Sequence, residues 1–222
     1  MLNKNVAALL ERLKTGNCFH EQVTLVAATK TRSPEEINAA LRAGITDIGE
    51  NKVQEFCDKF DLVEGGRRHF IGHLQTNKVK YLIGKTFLVH SLDSDALARE
   101  LSVRSERANV ITDVLIQINI GCEETKSGFP FEEGLEAYQR ISALPALRVK
   151  GFMAMLPVSD DENYLASLVK KMRGLYDSVK ASDSEVEYLS MGMSGDWELC
   201  LQNGANMIRL GTAIFGERNY LK

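Results

Sequence analysis

Several absences narrow the class of this chain. Its four cysteines, Cys18, Cys57, Cys122 and Cys200, lie far apart and form no CxxC pair. That pattern fits neither a disulfide framework nor a structural zinc site, and reduced thiols in a cytoplasmic protein are expected. Only four prolines occur, scattered singly, and no Pro- or Gly-rich linker divides the sequence. No GxGxxG follows the first apolar run and no GxxxxGK[ST] appears, so the common nucleotide-binding fingerprints are missing. The apolar stretch I111-T-D-V-L-I-Q-I-N-I120 is short and interrupted by polar residues, well below a membrane span. The N-terminal segment MLNKNVAALLERLKTG lacks the basic start and apolar block of a signal peptide; Val6, Leu9, Leu10 and Leu13 instead follow helical spacing. Neither sign of charge dominates. A net charge of -3 and a pI near 5.9 give no electrostatic case for nucleic acid, and the Arg67–Arg68 pair is expected on solvated surface.

The pair in H69-F-I-G-H73 has a metal-like spacing. On a strand it spans about 13 Å at roughly 3.3 Å per residue, too far for one zinc with bonds of about 2 Å. Gly72 and the β-favouring Phe70–Ile71 argue against a helix there, so no metal is expected.

What is present is a rhythm. The composition, 44% hydrophobic and 26% charged over 222 residues, is that of an ordinary soluble protein, read as one domain over residues 1–222. Short apolar runs at 23–30, 46–50, 68–73, 87–91, 111–120, 147–155, 186–192 and 207–211 predict strands. Helix-like segments fall between them at 34–43, 51–62, 76–83, 94–107, 131–143, 161–181 and 196–204. In the sixth of these, Leu165, Leu168, Val169, Met172, Leu175, Tyr176 and Val179 keep one helical face apolar. Strict alternation implies parallel strands joined by right-handed crossovers. The expected fold is α/β, a single (β/α)8 TIM-type barrel with an extra N-terminal helix. An open doubly wound sheet is the alternative; the missing glycine fingerprint and the even composition weigh against it.

Barrel function sits at the C-terminal ends of the strands. The first predicted strand, V23-T-L-V-A-A-T-K30, delivers a lysine there, just before the helix-start signal T31-R-S-P-E-E36. Ser33 suits the N-cap, Pro34 the first helical position, and Glu36 the third position of a capping box. An amine so placed can form a Schiff base with a carbonyl. Strands 7 and 8 of such barrels often build a phosphate site from loop amides. Here S190-M-G-M-S-G-D-W197 offers Gly192, Ser194 and Gly195, while R209-L-G-T212 offers Gly211 and Thr212. The bland reading, glycines serving tight turns, stays open. Arg209 shares a strand face with Gly211, and Thr24, Val26, Ala28 and Lys30 share another, so both the arginine and the lysine can face the lumen. A lumen ion pair between Arg209 and an acidic residue such as Glu50 is the alternative to a ligand contact.

Lysine amine, phosphate cradle and inward arginine together suggest pyridoxal 5′-phosphate (PLP) as cofactor. Lys30 would carry the aldehyde, Ser194, Gly211 and Thr212 the phosphate, and Arg209 would face the pyridine nitrogen. Arginine cannot take up the pyridinium proton, so the ring would be a weak electron sink.

The segments A28-T-K30, G49-E-N-K-V-Q-E55, H69-F-I-G-H-L-Q-T-N-K78, L189-S-M-G-M-S194 and I208-R-L-G-T-A-I-F-G216 resemble the pyridoxal-phosphate homeostasis proteins, small relatives of the alanine racemase N-terminal domain. The resemblance is collinear over nearly the whole chain. It implies a fold-type III barrel, a Schiff base on Lys30, phosphate contacts from Ser194, Gly211 and Thr212, and Arg209 at the pyridine nitrogen. Asn51 and His73 match family positions near the cofactor, and Gly192 and Met193 line the site by the same resemblance. The commonest family wording before the lysine is Val-Ser, where this chain has Ala-Thr; the hydroxyl is kept.

Two functions of different class follow. One is a PLP-binding regulator that stores, buffers and delivers the cofactor to PLP-dependent apoenzymes, with no catalytic residue. The other is a racemase of the alanine racemase type, which needs acid/base groups on both faces of the substrate carbanion. In those enzymes the second base is a tyrosine from a C-terminal domain of the partner subunit. This sequence runs to Lys222 without such a domain, and Tyr188 and Tyr220 read as surface or packing residues, so the carrier is expected. A sugar-phosphate enzyme with Lys30 as its Schiff-base residue is a third reading. Resemblance also implies a monomer, and charge and hydropathy lead to the expectation of no nucleic acid or membrane partner.

Overall fold

The computed structural model describes residues 2–123 and 126–217. Strands β1 (Thr24–Ala28), β2 (Asp47–Glu50), β3 (Arg67–Phe70), β4 (Leu88–Leu92) and β5 (Thr112–Asn119) are followed by a two-residue β6 (Phe129–Pro130). Then come β7 (Leu147–Ala154), β8 (Tyr188–Ser190) and β9 (Met207–Leu210). Their hydrogen-bonded order is β4-β3-β2-β1-β9-β8-β7-β5, every pairing is parallel, and β4 pairs with β5 to close the ring. The result is the expected eight-stranded parallel barrel. Short β6 lies outside that ring, pairing Phe129 with Ile118 near the end of β5.

Helices α1 (Leu2–Leu13), α2 (Pro34–Arg42), α3 (Val53–Lys59), α4 (Asp95–Arg107), α5 (Gly134–Ser142), α6 (Glu162–Lys180), α7 (Trp197–Gln202) and α8 (Thr212–Phe215) complete the described chain. Local signals set their positions. Both halves of the Ser33/Glu36 capping box form at the start of α2, with Pro34 in the first turn. All seven apolar residues predicted for the buried face of α6 are buried. Between β3 and β4 the expected helix is instead a 3₁₀ segment, Thr76–Tyr81. Val79 and Leu82 are both fully buried, and their spacing of three matches the 3₁₀ repeat better than the α repeat.

Apolar packing divides into layers. Val26, Leu88, Leu115, Met153 and Met207 fill the lumen, and two larger clusters lie outside it, under the helices. Burial of this order contributes about 25 cal/mol per Å² of apolar surface. Arg67 is exposed, as expected of the Arg67–Arg68 pair, while Arg68 is half-buried; both also have fixed partners. Arg67 pairs with buried Asp47 at 2.7 and 2.8 Å and stacks over Phe87. Arg68 donates to the Phe60 and Val63 carbonyls and covers the Phe60 ring. Neighbouring strands and the end of α3 bring these acceptors within reach, and Arg67 keeps its solvent exposure. Among the described residues no helix is long and apolar enough to cross a membrane.

Candidate functional site

At the C-terminal mouth, β1 ends at Ala28, shorter than the predicted run to residue 30, and Thr29–Lys30 form its exit. Two anchors hold this exit. The Thr29 hydroxyl donates to Gly49 O and to Glu50 Oε1, at 3.1 and 2.7 Å. Lys59, at the end of α3, donates to Thr29 O, Glu50 Oε1 and Glu55 Oε2. Glu55 Oε2 also accepts the Thr31 N–H at 2.7 Å. Thr31 has φ +65°, a left-handed conformation costly for a β-branched residue. Backbone on both sides of Lys30 is therefore tied to α3, while among the described residues its own amine has no hydrogen-bond or ion-pair partner.

Lys30, Asn51, Met193, Ser194, Arg209, Gly211 and Thr212 line one cavity of about 140 Å³. Seven of the nine residues singled out in the sequence thus converge. Gly192 is buried beneath them, its carbonyl accepting the Arg209 N–H at 2.9 Å. Its φ of +107° and a would-be Cβ only 2.9 Å from Trp197 Cα give it a structural reason to be glycine. Gly211 has no such reason: a Cβ there would make ordinary contacts of 3.4 and 3.6 Å with Ala28. His73 stands at the rim with Nδ1 3.0 Å from Asp93, in an adjoining groove of about 400 Å³ that Asn51 also lines. Arg32, Ile71 and Met155 join the cavity wall without having been singled out. Met155 is the last residue of the predicted strand 147–155, and Arg32 lies within the helix-start signal after Lys30.

Arg209 is only 6% exposed. Its guanidinium donates to Ser190 O at 2.9 Å, to Ser190 Oγ, and to Ala154 O at 3.2 Å. Among the described residues no carboxylate pairs with it; Glu50, the acidic partner considered from the sequence, binds Lys59 instead. Burial pushes the Arg209 pKa down to about 10, which still leaves it charged at neutral pH. Burial raises the Glu50 pKa, with the Lys59 and Thr29 hydrogen bonds opposing.

Other polar groups await partners. Asn51 Oδ1 is buried and unpartnered, and the amides of Ser194, Gly195 and Thr212 meet no backbone acceptor among the described residues. An uncompensated cation, free amides, an orphan carbonyl oxygen and a free amine suit an anionic ligand with a ring acceptor and a carbonyl. A larger groove of about 790 Å³ lies at the other end of the barrel, beside Thr46 and Arg67. Size there does not locate chemistry: among the described residues no comparable set of unpartnered groups converges on it. Tyr188 opens β8 at that same far end, and Tyr220 lies outside the described residues.

The family profile described as "Alanine racemase, N-terminal domain" matches residues 4–219. The pyridoxal phosphate homeostasis protein of Aquifex aeolicus (strain VF5) is 41% identical over 199 residues, covering 88% of this chain and 87% of that protein. Its Escherichia coli K12 counterpart is 36% identical over 207 residues, covering 91% and 88%. The structure of PipY from Synechococcus elongatus PCC7942 with PLP bound superposes with a TM-score of 0.84 at 26% identity, covering 97% of this chain and all of that one. Alanine racemase of Clostridium difficile 630 shares the fold at TM-score 0.78 and 13% identity; this chain spans 60% of its length.

Proposed function

The chain belongs to the alanine racemase N-terminal domain family, and from that membership we propose that it binds pyridoxal 5′-phosphate at the barrel mouth and serves to hold and hand over the cofactor. Lys30 is the residue that links to it. When bound, the cofactor would supply an aldehyde, the group with which the Lys30 amine can form a Schiff base. Ser194, Gly211 and Thr212 hold the phosphate with amide and hydroxyl donors. Arg209 presents its remaining N–H groups to the pyridine nitrogen, and as a cation it leaves that nitrogen unprotonated. Asn51 orients the ring face, and Arg32 adds positive charge beside the lysine. The names of its relatives and the PLP-bound neighbour support this reading.

One observation favours a carrier over a racemase. Apart from Lys30, no described residue lining the cavity is a carboxylate, imidazole, phenol or thiol. Two-base proton transfer at an amino-acid Cα requires such a group opposite the lysine. PLP-dependent apoenzymes are the partners of this function, and a monomer in the cytoplasm is its expected setting. The test is transfer from loaded protein to a PLP-dependent apoenzyme while a scavenger traps free cofactor. Activation faster than the scavenged control is expected. Absence of transfer, or Cα deuterium exchange of alanine in heavy water at enzymatic rates, would overturn the carrier reading.

A further inference from the structure

Below the cavity floor, five buried polar side chains cross the lumen in single file. Arg209 on β9 donates to Ser190 Oγ on β8. That oxygen lies 3.2 Å from His90 Nδ1 on β4. His90 Nε2 is 2.9 Å from His69 Nδ1 on β3, and His69 Nε2 is 2.8 Å from Asp47 Oδ1 on β2. None of the five is more than 6% exposed. The lumen around them is apolar, with Phe87 packed at 5.2 Å from the His69 ring.

Proton positions follow from the Asp47 end. Besides His69, its carboxylate takes two bonds from Arg67 and one from the Thr46 hydroxyl, so it is ionised and only accepts. His69 must then carry its proton on Nε2. Burial lowers the pKa of both histidines; Asp47 opposes this at His69, while at His90 the Arg209 charge, and the charge a protonated His69 would carry, reinforce it. Both rings are neutral. His69 Nδ1 is therefore an acceptor, which His90 satisfies from Nε2. His90 Nδ1 is left to accept the Ser190 hydroxyl, and Ser190 turns its lone pairs to Arg209. Every donor points the same way, from buried cation to buried carboxylate. Bonds aligned in this manner polarise one another.

We infer that Ser190 and His90 are positioning residues for Arg209, linking its buried charge through His69 to Asp47 and holding its free N–H groups at the place of the ring nitrogen. The inference rests on the PLP reading of the mouth. Arg209 has hydrogen bonds to two carbonyls that fix its height in the lumen, but Ser190 Oγ alone joins it to a counter-charge. Loss of that hydroxyl removes the side-chain acceptor of the guanidinium and leaves His90 Nδ1 without a donor.

The experiment uses the full chain, first without ligand. Nitrogen-15 spectra of wild type at pH 7 should show His69 and His90 both neutral with the proton on Nε2; a His90 proton on Nδ1 would overturn the proposal. With PLP added, Ser190→Ala should weaken binding about tenfold, equivalent to about 1.4 kcal/mol, and should move the pH midpoint of the visible absorbance band. Ser190→Thr, which keeps the hydroxyl, should restore both, and His90→Gln should reproduce the shifted midpoint. A folded Ser190→Ala protein with wild-type affinity and midpoint would overturn the relay alone. Wild type that takes up no PLP would sink the cofactor reading itself, and the relay's role with it.

Discussion

The Glu55 carboxylate accepts the Thr31 N–H at 2.7 Å, and through that bond α3 pins the residue that follows Lys30. The same oxygen takes Lys59 at 2.9 Å. Burial works to raise the Glu55 pKa, but the Lys59 and Thr31 hydrogen bonds outweigh it and hold the carboxyl below its ordinary range. Glu55→Ala should therefore free the Lys30 turn: PLP affinity drops by roughly tenfold, since a hydrogen bond to a charged group contributes about 1.5 kcal/mol, while the fold is retained. Equilibrium titration of the visible band measures it, and unchanged affinity would break the link between α3 and the lysine.

Thr31 itself carries strain. At φ +65° and exposed, its side chain contributes little packing to set against a backbone cost of order 1–3 kcal/mol. Asparagine tolerates that region better. Thr31→Asn should raise the thermal midpoint by a few degrees, read by differential scanning calorimetry; a lowered midpoint would show that the threonine is held by contacts other than those described.

Two glycines of the mouth should separate cleanly. Gly192→Ala meets a positive φ and the Trp197 backbone, so a loss of about 2 kcal/mol or more in unfolding free energy is expected. Gly211→Ala finds room and an ordinary φ of -115°, so stability stays within about 1 kcal/mol of wild type. Its added methyl enters the ligand's space instead, and affinity should fall more than tenfold. Urea unfolding and PLP titration of the two proteins check the pair; normal binding by Gly211→Ala would mean that the cofactor's phosphate lies elsewhere.

Acid should weaken the barrel through its lumen. His69 and His90 have folded pKa values depressed mainly by burial, so the unfolded chain takes up protons that the folded chain refuses. Their stabilising effect is complete above the unfolded value near 6.5 and is lost as pH falls below it, by at most about 1.4 kcal/mol per histidine per pH unit. Asp47, also depressed, adds loss in the same direction at still lower pH. Urea midpoints at pH 7.5 and 5.5 should differ in wild type and differ less in a folded His90→Gln protein. Equal sensitivity in both would remove His90 from the account.

Much of this was legible because it is local. The Ser33–Glu36 cap, the apolar face of α6 and the lysine just beyond β1 are all written within a turn or a strand and its exit, and alternation supplied the barrel. Arg209 and Gly211 could be placed on one face by strand periodicity alone. The partners of Arg209 could not, because Ser190 and Ala154 reach it only through the closed ring. His69 was read beside His73 for a metal and dismissed; its partners, Asp47 and His90, stand on flanking strands more than twenty residues away on either side. The four-residue α8 and two-residue β6 are too short to leave a periodic trace.

The central claim is that Lys30 holds PLP, and borohydride trapping tests it most directly. Protein loaded with the cofactor should absorb visible light, lose that band on reduction, and give a single phosphopyridoxyl-modified peptide containing Lys30 by mass spectrometry. Lys30→Ala should yield no modified peptide. Stoichiometric modification at another lysine, or a full covalent adduct in Lys30→Ala, would contradict the account.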